Sequence, residues 1–167
     1  MNYGPWDRAD GNSFVEGYSD RPAGAGFYPA NMTVEEFNAW DNPDKNSPYT
    51  LVRRAADGSL ETVWYHDAYK SYIDKIENAL KVAADVTIKP SVKKYLLAKA
   101  EALKTDKYYE SSLAWLDMDD SKMDLVIGPN EVTDDQLLGI KRSYEAFVLL
   151  KNLAKTDELM QYVSRIG

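Results

Sequence analysis

The side chains whose type and spacing could do chemistry are carboxylates in two short stretches, Asp117-Met118-Asp119-Asp120-Ser121 and Glu131-Val132-Thr133-Asp134-Asp135. Alternating acids in the first suggest a calcium loop. An EF-hand loop needs glycine at its sixth position and a bidentate glutamate at its twelfth. Counting from Asp117, Lys122 and Gly128 stand there. The stretch therefore reads as a solvated turn before a strand. In the second stretch, Asp134 and Asp135 suit the first turn of a helix, where acids complement the dipole. Glu131 precedes that turn. A carboxylate at a strand exit is well placed to meet a ligand ammonium. A glycosidase pairing Glu131 with Asp134 or Asp135 would need one of them neutral near pH 7, and nothing adjacent supplies a reason for that.

The remaining candidates are few. The 167 residues hold one histidine and no cysteine, so thiol nucleophiles, disulfides, zinc fingers and iron–sulfur ligation are excluded. Catalytic zinc usually takes two or three histidines, which one cannot supply. His66 follows a hairpin and precedes a helix, with no serine or glutamate arrangement that makes it a base. Trp6-Asp7-Arg8 reads as a buried indole beside a local ion pair, and Lys93-Lys94 and Lys141-Arg142 as solvated helix faces. Neither a phosphate loop nor a dinucleotide fingerprint is present. With 20 basic and 27 acidic residues the net charge is −7, which argues against a nucleic-acid partner. No apolar run approaches a membrane span, and the first residues lack the basic and apolar regions of a secretory signal. A cytoplasmic location and no membrane partner are expected.

These residues must be positioned by an uneven chain. Residues 1–48 carry five of the nine glycines and five of the seven prolines, with aromatics at no steady period. They read as an extended arm, interrupted by one helix over Val34–Trp40 whose capping box is Thr33 and Glu36. Residues 49–167 form the second region. Tyr49–Arg54 and Leu60–Tyr65 flank a loop with Asp57-Gly58, a hairpin signal. Asp67–Ala83 places Tyr69, Tyr72, Ile73, Ile76, Leu80 and Ala83 on one stripe. Ser91 is expected to cap Val92–Lys104, a helix whose apolar stripe only Lys99 breaks, and Thr105 to cap Asp106–Leu116. Met123–Ile127 reads as a strand ended by Gly128-Pro129. Thr133 and Gln136 suggest a helix from about Asp134 to Ala154, and Thr156 a last one over Asp157–Arg165. The expected class is α+β, mostly α-helical, with a hairpin, one further strand in a small sheet and an irregular N-terminal arm.

Five blocks in order carry a family likeness. They are Tyr3-Gly4-Pro5-Trp6-Asp7-Arg8; Pro22 to Pro29 with Met32-Thr33 and Glu35-Glu36-Phe37; Tyr65-His66-Asp67-Ala68-Tyr69; Ile127-Gly128-Pro129-Asn130-Glu131; and Gly139-Ile140-Lys141 with Tyr144-Glu145-Ala146-Phe147. The chain resembles the bacterial branch of the dipeptidyl peptidase III family of zinc metallopeptidases, to about Asn152. The resemblance implies two lobes around a cleft and zinc on an HExxGH or HExxH-type helix. It also implies a β-core to which a substrate peptide adds as a strand. No His-Glu pair exists here, because Asp67 follows the only histidine. The resemblance therefore implies a portion of such an enzyme, with the zinc-bearing segment expected beyond Gly167. Zinc is then a cofactor of the full-length family, with no cofactor expected in this chain.

One family position carries over directly. The strand glutamate that binds the peptide ammonium matches Glu131. The family tyrosine two residues later is Thr133 here, which puts that contact in question. The expected function is a portion that does not catalyse by itself and supplies the β-core wall of the peptide cleft. The alternative is an independent α-rich interaction module.

Overall fold

The computed structural model describes residues 5–7, 10–118 and 121–163. Tyr3, Gly4 and Arg8 of the first family block, Asp119 and Asp120 of the acidic loop, and the expected helix end at Arg165 lie outside the described residues. The chain divides into two compact units, residues 1–73 with 128–145, and residues 74–127 with 146–167.

In the first unit the arm contributes core. Phe27, Tyr28, Met32 and Phe37 are buried with Leu51, Val52, Leu60 and Tyr65, whereas Phe14 and Tyr18 remain exposed. The helix α1 spans Val34–Ala39 and ends at Trp40, as the capping signal predicts; Thr33 Oγ1 accepts from the Glu36 amide at 3.1 Å. Glu36 returns the bond, its carboxylate accepting from the Thr33 backbone and completing the capping box. The same carboxylate takes a bidentate pair from Arg54 at 2.7 and 2.8 Å. Lys45 Nζ closes the other end of the helix by donating to the carbonyls of Phe37, Asn38 and Trp40.

The hairpin forms as the alternation and the Asp-Gly turn require. Strand β1 (Thr50–Arg54) pairs antiparallel with β2 (Leu60–Trp64), with Thr50 opposite Trp64 and Arg54 opposite Leu60. The arm runs beside β1, where the Val52 amide donates to the Phe27 carbonyl at 2.9 Å. A short helix α2 (Tyr65–Ala68) follows, and α3 spans Lys70–Val86. Its buried line is Ile73, Glu77, Leu80 and Ala84, while Tyr72 is exposed. The expected stripe was thus rotated by about one position. Glu77 sits there because Lys81 and Lys104 neutralise it at 2.6 and 3.2 Å.

In the second unit α4 (Pro90–Thr105) packs against α5 (Tyr109–Leu116). The caps differ from expectation. Lys89 is the N-cap of α4 with Pro90 as its first helical residue, a position where a missing N–H costs nothing. Thr105 ends α4 rather than starting α5, and Asp106 closes it in the left-handed conformation, φ 54°. Lys99 is buried beside Tyr95 and Leu103, its ammonium over the rings of Tyr95 and Tyr108. Tyr95 donates to the Leu125 carbonyl at 2.6 Å, and Trp115 Nε1 to Asp124 at 2.8 Å, tying the helices to the start of the next strand.

That strand, β3, spans Met123–Glu131 and does not stop at Gly128-Pro129. Gly128 adopts φ 139°, open to glycine. Proline is tolerated on edge strands, and in a two-stranded sheet every strand is an edge. The partner is β4, Ser143–Leu150, in a stretch expected to be helical. The last helix, α6, spans Leu153–Val163, starting earlier than the Thr156 signal suggested. Asn152 caps it, accepting from the Lys155 amide at 3.2 Å. The class is α+β with two small sheets. Among the described residues, no helix is long and apolar enough to cross a membrane.

Candidate functional site

Glu131 ends β3, and its carboxylate turns back into the loop that follows. It accepts from the Thr133 amide at 3.0 and 3.1 Å, from the Thr133 hydroxyl, and from the Asp134 amide at 3.0 Å. Ser143, the first residue of β4, reaches its Oε2 at 3.5 Å and also donates to Asp134. Glu131 is only 7% exposed. A carboxylate in such a nest of donors is held in one rotamer. Thr133 keeps two lone pairs on its hydroxyl while its proton serves Glu131.

Asp134 and Asp135 do not cap a helix. Asp134 is buried and pairs with Arg21 of the arm at 3.1 Å. Asp135 organises the whole loop. One oxygen accepts from the amides of Leu137 (3.2 Å) and Leu138 (3.0 Å). The other accepts from Ile140 (2.8 Å), Lys141 (2.9 Å) and the Tyr28 hydroxyl (2.6 Å). Burial opposes its charge, but the Lys141 amide, the Tyr28 hydroxyl and the amides of Leu138 and Ile140 outweigh it and lower its pKa. Asp135 therefore cannot serve as the neutral acid a glycosidase requires. Amides satisfied by this carboxylate cannot propagate a helix. Gly139, at φ 69°, reverses the chain at the same point, and residues 143–150 emerge as a strand.

Lys141 corrects the reading of a solvated basic step. It is 1% exposed, and its ammonium donates to the carbonyls of Lys45 and Ser47 and to Thr50 Oγ1, each at 2.8 Å. Burial pushes its pKa down to about 8, with the nearby Asp135 charge acting the other way. Arg142 differs; its backbone is bonded to Pro48 and Tyr65, and the residue is half-buried. The loop thus gathers three carboxylates, Glu131, Asp134 and Asp135, with three basic side chains, Arg21, Lys141 and Arg142. No local signal in the sequence identified Arg21, Tyr28, Lys141 or Ser143 as members of this cluster.

Among the described residues, the donors do not fit zinc. The chain's single imidazole, His66, is half-buried, stacked on Trp64 with ring centroids 6.3 Å apart and 3.5 Å from Asp67. Among the described residues, no group of three or more histidine, aspartate or glutamate side chains is arranged to hold a metal ion.

No protein-family model matches the chain. The structure is similar to that of dipeptidyl peptidase III from Caldithrix abyssi, at 40% identity and a TM-score of 0.89, covering 96% of this chain and 32% of that one. It is also similar to dipeptidyl-peptidase III from Corallococcus sp. strain EGB, at 30% identity and a TM-score of 0.85, covering 96% of this chain and 31% of that one. A protein of Arabidopsis thaliana named Nudix hydrolase 3 is 31% identical over 166 aligned positions, which take in 83% of this chain and 21% of that protein. The chain spans about a third of the solved structures it matches and about a fifth of the plant protein. The resemblance carried by the five blocks therefore holds in three dimensions, and the fold is that of a portion of dipeptidyl peptidase III.

Proposed function

We propose that this chain forms one wall of the peptide-binding cleft of a zinc metallopeptidase of the dipeptidyl peptidase III kind. The observation that carries the proposal is the agreement in fold and sequence with a third of such an enzyme along nearly the entire chain. In this reading β3 offers backbone to a peptide that adds as a strand. Glu131 receives the peptide's N-terminal ammonium. The ammonium would displace the weak contact from Ser143 and gain a second acceptor in the Thr133 hydroxyl, which replaces the family tyrosine. The amide donors from Thr133 and Asp134 would remain, so the carboxylate need not reorganise to bind. Zinc, when bound in a full-length member, supplies the activated water; the residues here do not fit it, and no hydrolytic step is assigned to them. The same reading takes the protein to be cytoplasmic.

A short peptide with a free N-terminus and its N-acetylated counterpart test the proposal by calorimetry on the 167-residue chain. The free peptide is expected to bind, and acetylation or Glu131→Gln to abolish binding. Equal binding of both peptides, or of neither, counts against the proposal. Stoichiometric zinc in the purified chain would contradict the assignment of the metal elsewhere. The alternative, an interaction module without catalysis, draws on the exposed Phe147, Val148, Leu149 and Leu150 of β4. It predicts a partner bound through that strand, unaffected by Glu131→Gln.

A further inference from the structure

A second feature of the same loop lies apart from the Glu131 carboxylate. An open cavity of about 430 Å³ is bounded by Asn46 and Pro48 on one side and by Val132, Ile140 and Arg142 on the other. All of these residues belong to the first unit. While Glu131 turns toward Thr133 and Ser143, its neighbour Val132 lines this cavity. The walls from Pro48, Val132 and Ile140 are apolar. Besides Lys141, the lining residues with polar side chains are Arg142 and Asn46, and neither side chain makes a hydrogen bond among the described residues. Lys141 lies against the same cavity, but its three protons are committed to Lys45, Ser47 and Thr50. It contributes positive charge without a free donor.

We infer that this cavity is a binding site for a small monocarboxylate with a short aliphatic body, held by the Arg142 fork and the Asn46 amide against Pro48, Val132 and Ile140. A guanidinium presents two parallel N–H groups that match the two oxygens of a carboxylate. One such fork beside one amide suits a single negative charge, and the remaining wall favours hydrocarbon over water. A dianion would find one cation able to donate to it. The site is independent of the ammonium-binding role proposed for Glu131, and either can stand without the other.

The test is a titration of the isotope-labelled 167-residue chain with isovalerate, followed by amide NMR. Isovaleramide and sulfate serve as controls. Isovalerate is expected to shift the amides of Val132 and of residues 139–142 saturably. Isovaleramide, which lacks the charge, and sulfate, which lacks the aliphatic body, bind at least about tenfold more weakly. Arg142→Gln weakens isovalerate roughly tenfold or more, the loss expected for a charged hydrogen-bonded pair. Val132→Trp, which fills the cavity and leaves Arg142 in place, abolishes the shifts. Glu131→Gln leaves the affinity unchanged, separating this site from the proposed peptide site. The proposal is overturned by any of four results: no saturable shift, equal binding of isovaleramide, equal binding of sulfate, or unchanged affinity in Arg142→Gln.

Discussion

Asp135→Asn is the most demanding perturbation of the loop that carries Glu131. The side chain keeps its size, so the effect comes from the lost charge and hydrogen bonds. Asp135 accepts five bonds, two on one oxygen and three on the other. An asparagine can accept on one atom only. In its better orientation the oxygen faces Ile140, Lys141 and Tyr28, and the amide nitrogen faces two N–H groups it cannot receive. A buried donor left without a partner costs about 1–3 kcal/mol, and the three surviving bonds lose their charge assistance. The total comes to about 4–6 kcal/mol, a large part of a small protein's stability of roughly 5–15 kcal/mol. Tyr28→Phe removes one of the five bonds and should cost about 1.5–3 kcal/mol. Urea unfolding followed by intrinsic fluorescence measures both. The pH dependence gives an independent check. Because the folded pKa lies below the unfolded value, the contribution is present above the ordinary aspartate range and is lost as pH falls through the folded pKa. A variant within about 1 kcal/mol of the parent would refute the hub role assigned to this carboxylate.

Three further outcomes follow from the geometry. Lys141→Met should destabilise by about 3–5 kcal/mol, because it strips a charged donor from the buried Thr50 hydroxyl and two half-buried carbonyls; a solvated lysine would cost under about 0.5 kcal/mol, so a urea melt separates the two. The Lys99 ammonium has no hydrogen bond among the described residues, and burial pushes its pKa to about 8. Between about pH 8 and the ordinary lysine range the unfolded chain binds a proton that the folded chain does not, so stability rises with pH there. Lys99→Met should flatten that rise, leaving the share due to Lys141, and should raise stability at neutral pH when melts are compared across the window. Thr33→Ala should cost about 1 kcal/mol, the value of one N-cap bond, measurable by urea titration.

The features legible in the sequence are those set by neighbours a few residues apart. Thr33 meets the Glu36 amide within one helical turn, and Asp57-Gly58 closes a hairpin whose register the flanking alternation already implies. The resemblance to dipeptidyl peptidase III was legible for a different reason, since ordered blocks persist where backbone must take the same course. The failures share a cause too. Thr133 and Gln136 at capping spacing mimic a helix start, and Tyr144-Glu145-Ala146-Phe147 accepts either conformation. The sequence therefore offered no local reason to prefer a strand.

The decision came from distant partners. Tyr28 lies 107 residues from Asp135 and Thr50 lies 91 residues from Lys141. The first pair helps to divert the loop amides away from a helix, and the second buries a lysine that reads as solvated. A hydrogen bond that depends on such separations has no periodic trace along the chain. The sequence alone determined the fold class, the hairpin, most of the helices and the position of Glu131. Only tertiary structure decided which charges are buried, because the acceptors that make burial possible arrive from elsewhere in the fold. That is also why the place of Glu131 at a strand exit could be read from the sequence while its nest of donors could not.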